Sequence, residues 1–255
     1  MKKVWLLLLA AAFSCSLALG QTADEIVTKN MEAKGGLAAW QGIKSARMTA
    51  KLTVSSPTGQ MEAPIIMEFK APNKLRVEFT MQGMKGIQVF DGEKGWSVMP
   101  FMGKTDPEPV AGDQLQELSE RADFMGPLFE YKKKGHKLEL LGEEDMEGTP
   151  SYKLKLTRKS GGVSIIYIEK EHFLDFMTII ERSVRGNKMK VTSVFGDYEQ
   201  EGPLLMPHSI EITSGEGMGT RVVTIEKVEL NIDIPDDRFS KPEPAENAPA
   251  PPRER

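Results

Sequence analysis

Residues 60–100 read QMEAPIIMEFKAPNKLRVEFTMQGMKGIQVFDGEKGWSVMP and alternate between apolar and polar side chains. One parity carries large apolar residues in two runs, Met61, Ile65, Met67 and Phe69, and then Leu75, Val77, Phe79 and Met81. Because successive side chains of a β-strand point to opposite faces, this pattern predicts strands with one apolar face. The short polar breaks between the runs favour hairpins. Together they predict a strongly curved antiparallel sheet with a continuous apolar inner face.

The rest of the chain extends the same pattern. Alternating segments at 47–54 and from 138 to 230, separated by hairpin-like breaks, raise the expected count to about 11 strands without crossover helices. Thr22 and Glu25 form a capping-box pattern that starts a helix. Asp113 starts another short helix, a further helix is predicted from Pro127 onward, and residues 101–112 are predicted as a loop. The predicted fold class is α+β, mostly β.

The first 20 residues are typical of a secretory signal peptide. Lys2 and Lys3 precede an apolar run of about ten residues, and small residues at 18–20 suit cleavage. The run is shorter than the roughly 20 residues that span a bilayer, so a retained anchor is the weaker alternative. Acylation at Cys15 is another, although Phe13 is bulky for such a site. We therefore expect an exported protein.

The predicted mature chain is one domain over 21–240 with a tail at 241–255. Without Cys15 it has no cysteine, which excludes disulfides and thiol catalysis. The tail is mostly Pro, Ala, Glu and Arg and is expected to be disordered. The formal net charge of −4, with Lys and Arg interspersed, shows no nucleic-acid footprint.

A search for catalytic patterns finds none. His136, His172 and His208 are far apart and lack zinc-like spacing. There is no nucleophile elbow or phosphate loop, and the acidic residues 143–145 lack the ligand pattern of a calcium loop. The sequence therefore predicts a protein that is not an enzyme and uses no cofactor and no metal.

Methionine is the unusual residue type, since six of the 15 lie between Met61 and Met102. Methionine adapts to variable apolar shapes, although it also fills irregular cores. A curved sheet covered only by short helices tends to leave a cavity. The predicted lining residues are Met61, Ile65, Met67, Phe69, Leu75, Val77, Phe79 and Met81, with Trp96 near the rim. Predicted lid residues are Trp40, Phe124, Leu128 and Phe129, for which plain core packing stays the alternative.

Several segments in order resemble the periplasmic LolA/LolB-like lipoprotein-carrier superfamily. They are AKGGL at 33–37 with Trp40, APNKLRVE at 71–78, FDGEKGW at 90–96 with Pro100, FGDY at 195–198 with LMPH at 205–208, and IPDDRF at 234–239. The resemblance spans nearly the whole predicted mature chain. It implies a strongly curved antiparallel half-barrel with short helices plugging its concave face, which would hold acyl chains.

The resemblance also implies a function and partners. It implies a monomeric, non-enzymatic carrier that shields acyl chains of lipoproteins or lipids for outer-membrane sorting and biogenesis, with inner- and outer-membrane proteins as donor and acceptor. An envelope-stress sensor or regulatory protein-binding module of the same fold is the alternative. An enzyme acting on envelope lipids is a third, weaker hypothesis.

Overall fold

The computed structural model describes residues 21–56, 59–184, 187–215 and 219–245. The predicted signal peptide and residues 246–255 of the predicted tail lie outside these ranges. The helices are α1 (Ala23–Ala33), α2 (Leu37–Gly42) and α3 (Gly112–Arg121). The strands are β1 (Ser45–Ser56), β2 (Gly59–Lys70), β3 (Lys74–Met81), β4 (Met84–Phe90), β5 (Gly95–Met99), β6 (Lys104–Val110), β7 (Lys137–Met146), β8 (Thr149–Thr157), β9 (Val163–Glu169), β10 (Asp175–Val184), β11 (Asn187–Glu201), β12 (Leu204–Ser214) and β13 (Thr220–Leu230).

All 13 strands form one antiparallel sheet in the order β6-β5-β4-β3-β2-β1-β13-β12-β11-β10-β9-β8-β7. The first and last strands pair at its centre, so β1–β6 form one arm and β7–β13 the other. The sheet is curved and unclosed, which confirms the predicted half-barrel. The loop prediction for 101–112 was wrong, because β6 forms there. Pro107 and Pro109 are tolerated because β6 is an edge strand, whose outer side needs no ladder donors.

The two faces of the first arm follow from the strand register. Leu75 lies opposite Phe90 and Phe69, and Val77 lies opposite Met67, so these side chains share the concave face. Leu75 and Val77 are buried there beneath Leu118 of α3. The alternation therefore predicted the apolar inner face of β2 and β3 correctly.

The helical pieces close one end of the concave face. Thr22 and Glu25 make the reciprocal capping contacts that the sequence predicted for α1. Gly35, with φ of 107°, follows α1 and lies so near Pro203 that a Cβ would stand 2.2 Å from its carbonyl oxygen. The helix predicted from Pro127 onward is absent from the described residues, because positive φ at positions such as Glu130 interrupts the helical path.

The chain after β13 crosses the convex face of the first arm. Ile234 and Phe239 are buried against Val89, whose parity on β4 points away from the concave side. Pro242 is buried, and the Ala245 amide donates to the Thr105 carbonyl at 2.9 Å. The prediction of a disordered tail that buries nothing is thus wrong for residues 241–245. We call residues 231–245 the C-terminal strap.

Candidate functional site

Two cavities lie between the helical pieces and the concave face. One has a volume of about 320 Å³ and the other of about 430 Å³, both within the range of small-ligand pockets, roughly 300–1,000 Å³. They share five wall residues, Trp40, Phe69, Asp123, Phe124 and Met125. Phe124 and Met125 therefore lie between the two cavities, and their side chains divide the space that the sheet and the helical pieces enclose.

Three of the four predicted lid residues meet over β2. The Trp40 ring lies 5.4 Å from Phe124 and 5.2 Å from Phe129, and the Phe124 ring lies 5.0 Å from Phe69. Aromatic rings at these separations attract one another beyond their burial. Leu128 is also on the wall of the smaller cavity, but it packs in a second cluster with Ile26 and the second arm.

Most of the predicted lining residues lie outside the cavities. Phe69 is on the wall of both. Ile65, Leu75 and Val77 are buried in the core cluster, and Met67 and Phe79 pack against it. Met61 is 37% exposed and Met81 half-buried, near the hairpin ends away from the helices. These residues share the predicted face, where Leu115 and Leu118 of α3 pack in the same core cluster.

The placement of Trp96 with this lining was wrong. Trp96 lies opposite Val89, and Val89 lies opposite Arg76, so all three point to the convex face. The apolar run of β4 is the reason for the error. Its outward residues Ile87 and Val89 are apolar because the C-terminal strap covers them.

The second arm supplies cavity walls that the sequence analysis did not assign. Thr178, Phe195 and Met206 line the smaller cavity, together with Met48 of β1. Met48 stands on the apolar parity of an alternating strand, so its position was recoverable. Asp197 of β11 has a φ of 50°, but the register between β11 and β12 runs without a shift on either side of it, so the positions of Phe195 and Met206 were recoverable as well.

A buried polar cluster attaches α1 to the sheet at the wall of the smaller cavity. The Lys34 ammonium lies 2.6 Å from Asp175 of β10, and the Asn30 amide donates to the Phe173 carbonyl at 2.7 Å. The Trp40 indole donates to the Lys34 carbonyl at 2.9 Å. Because Asn30 and Lys34 are buried, these contacts form away from water and hold α1 and α2 firmly.

Asp123 stands where the apolar cavities meet a polar groove of about 750 Å³, since it lines all three. Burial raises the pKa of its carboxyl above the ordinary value, and the Lys134 ammonium, 2.6 Å away, opposes that shift. His136, Arg158 and Lys159 also line the groove. The charged side chains of this groove thus form a polar entrance to the concave site.

Comparison with known proteins identifies the fold. A LolA superfamily protein of Nitrosomonas europaea superposes with a TM-score of 0.61 at 18% identity, covering 87% of this chain and 98% of that one. A domain named for outer-membrane lipoprotein sorting, from Vibrio parahaemolyticus, gives 0.58 at 13% identity over 85% and 95%. The chain has a LolA-like fold. A DUF1329 family protein of Desulfovibrio piger gives 0.61 at 12% identity over 86% and 98%.

At the level of sequence, no protein-family model and no curated protein matches the chain. The LolA-like fold is therefore shown by three-dimensional similarity alone. Over the described ranges, no cluster of three or more His, Cys, Asp or Glu side chains could hold a metal ion. In those same ranges, no helix is long and apolar enough to cross a membrane.

Proposed function

We propose that the chain is a monomeric, non-catalytic periplasmic carrier that binds an acyl chain of a lipid or lipoprotein in the concave cavities. The observation that carries the proposal is the divided apolar space between the sheet and the helical pieces. Support also comes from the LolA-like fold, because one similar structure is named for outer-membrane lipoprotein sorting. The cargo would pass from an inner-membrane donor to an outer-membrane acceptor.

Apolar burial would supply the affinity. Each methylene group moved from water into the cavity contributes about 0.8 kcal/mol before the cost of ordering the chain. Phe124 and Met125 lie between the two cavities, and the unbranched Met125 side chain adapts readily to a new shape. Their movement would join the two spaces into one longer than either, which suits an extended chain better than a compact ligand.

The segment that opens would be residues 122–127 rather than α1 and α2. The buried Lys34–Asp175 ion pair fixes α1, and the Leu205 amide adds a bond to the Lys34 carbonyl at 3.3 Å. In 122–127 the Gly126 amide bonds only three residues back, to the Asp123 carbonyl at 2.9 Å. A segment held by local bonds and side chains opens at lower cost than one tied to the sheet.

The test compares two neighbouring substitutions on opposite faces of β11. Phe195→Asn places an amide in the smaller cavity, whereas Val194→Asn changes the convex face, where Val194 lies opposite Met177. Native mass spectrometry and a titration with a single-chain lipid measure binding. We expect Phe195→Asn to weaken binding at least tenfold and Val194→Asn to leave it unchanged, with both variants folded by circular dichroism.

A second variant protects the test against misfolding. Thr178→Trp fills the same cavity mainly with an apolar ring system, so it should block the lipid by bulk while keeping the melting temperature. Normal lipid binding by folded Phe195→Asn and Thr178→Trp would refute the cavity as the binding site.

The regulatory protein-binding module remains the second candidate. The observation that favours it is the filling of the first arm by α3, which leaves less open space than an empty half-barrel. It predicts that the purified protein carries no lipid and gains no mass on incubation with lipids, while forming a stable complex with an envelope protein.

A further inference from the structure

The polar groove beside the cavities has no role in holding an acyl chain. Its walls are the α3 end, the segment after it and the β8–β9 hairpin at 158–160. Asp123 and Pro127 belong to its wall and to the wall of the smaller cavity. This groove therefore adjoins the cavity and offers space for the polar end of a ligand whose chain lies there.

The groove is richer in cations than in carboxylates. Lys134 donates to both Asp123 oxygens, at 2.8 and 2.6 Å, and to the Gly126 carbonyl at 2.7 Å. An ammonium has three protons to donate, so Lys134 is fully used and serves to neutralise Asp123. The half-buried carboxylate at the junction with the cavity therefore does not repel an anion.

The β8–β9 hairpin adds two further cations. Arg158 donates to Ser164 Oγ at 2.7 Å and lies 3.6 Å from Glu120, whose charge it offsets. Lys159 is exposed, and its aliphatic stem runs along Gly135, where a Cβ would stand 3.3 Å from Lys159 Cδ. Because the other charges are paired, Lys159 gives the groove a net positive charge, and its ammonium is a donor that reaches solvent.

His136 provides a further hydrogen-bond donor. The Lys159 amide donates to His136 Nδ1 at 3.2 Å. Burial first, and then the charges of Arg158 and Lys134, hold the pKa of His136 below its ordinary value, so the ring is neutral at neutral pH. With Nδ1 accepting, the single ring proton is on Nε2, which can donate to an oxyanion.

We propose that this groove binds the phosphate of an anionic lipid whose acyl chain occupies the concave cavity. The inference rests on the proposed carrier function and adds the class of headgroup. Phosphate oxygens are strong acceptors that pair with Lys and Arg, and they suit a groove lined by ammonium, guanidinium and imidazole donors.

The experiment compares two single-chain lipids of equal chain length, a lysophosphatidic acid and an uncharged monoacylglycerol. The variants are Lys159→Ala and, as the matched control, Lys155→Ala. Lys155 lies in β8, four residues before Lys159, and its side chain points to the convex face, where it pairs with Glu139 at 3.1 Å. A third titration uses inorganic phosphate alone, to test whether the groove binds the free anion.

We expect the wild-type chain to bind the phosphate lipid about five- to tenfold more tightly than the uncharged one, as a partly exposed charge-assisted contact allows. Lys159→Ala should remove most of that preference, leave monoacylglycerol binding unchanged and keep the melting temperature. Lys155→Ala should change neither affinity.

The other outcomes separate the two proposals. Equal affinity for the two lipids, unaffected by Lys159→Ala, overturns the headgroup site and leaves the carrier function standing. Binding of neither lipid overturns the carrier function and the headgroup site together. Binding of inorganic phosphate as tight as that of the phosphate lipid assigns the groove to the free anion and also overturns the lipid proposal.

Discussion

Replacing Glu68 by Gln should destabilise the fold strongly, although Glu68 stands on the parity that the sequence assigns to solvent. Its side chain is 2% exposed. Arg47 Nη2 and Arg238 Nη2 each lie 2.8 Å from one of its oxygens, and Arg238 also bonds Glu78 at 2.9 Å. Arg238 belongs to the C-terminal strap, so Glu68 joins the strap to β2.

The size of the effect follows from these contacts. Removing one member of a buried ion pair costs about 3–5 kcal/mol, because the partner charge stays desolvated. Both arginine side chains here are 37% exposed and keep part of their hydration, so we reduce the estimate to about 2–3 kcal/mol. For a domain of this size that corresponds to a melting temperature lower by about 4–12 °C.

The assay is urea unfolding of residues 21–255, followed by the fluorescence of Trp40 and Trp96. Glu62→Gln is the matched control, since Glu62 stands on the same strand and parity but is 52% exposed and 3.5 Å from Lys51. It should cost less than about 0.5 kcal/mol. If Glu68→Gln costs no more than Glu62→Gln, the strap is not held by this network and the reasoning fails.

Two further predictions concern pH and the α1–α2 turn. Burial alone would raise the pKa of Glu78, but its bonds to Arg76 and Lys85 outweigh that effect and lower it from 4.5 to about 2. A carboxyl with a lowered pKa stabilises the fold above about pH 4.5, and this contribution is lost as the pH falls to about 2. The urea midpoint should therefore drop less over this pH range in Glu78→Gln than in the wild-type chain. Gly35→Ala should destabilise the fold more than Gly36→Ala. Both glycines have a positive φ, which costs about 1–2 kcal/mol for alanine. Only at Gly35 would the added Cβ also meet a backbone oxygen, at 2.2 Å. Equal losses of melting temperature in the two variants would contradict this prediction.

Local alternation predicted the sheet and its concave face because it depends only on neighbours along one strand. It placed Leu75 and Val77 correctly, and it placed Phe69 on a cavity wall. It failed for Glu68 because the surroundings of that side chain are set by the strap, 170 residues away in sequence, and it failed for Trp96, which the strand register places on the convex face. Alternation predicts that the two faces of a strand differ in polarity. It does not predict that a distant segment of the chain will bury the polar face.

The covering of both faces of β3 bears on how the proposed carrier would open. Leu75 and Val77 are buried under α3 on one side, while Arg76 and Glu78 are buried under the strap on the other. A strand packed on both faces cannot shift without breaking both sets of contacts, so the first arm is a fixed wall.

Access to the cavities must then come from a part with weaker ties to the sheet. Residues 122–127 meet that condition, since they divide the two cavities and carry Asp123, which also lines the polar groove. Opening of this segment would break the contacts that the Lys134 ammonium makes with the Asp123 carboxylate and the Gly126 carbonyl, so these contacts set the cost of access to the acyl cavity.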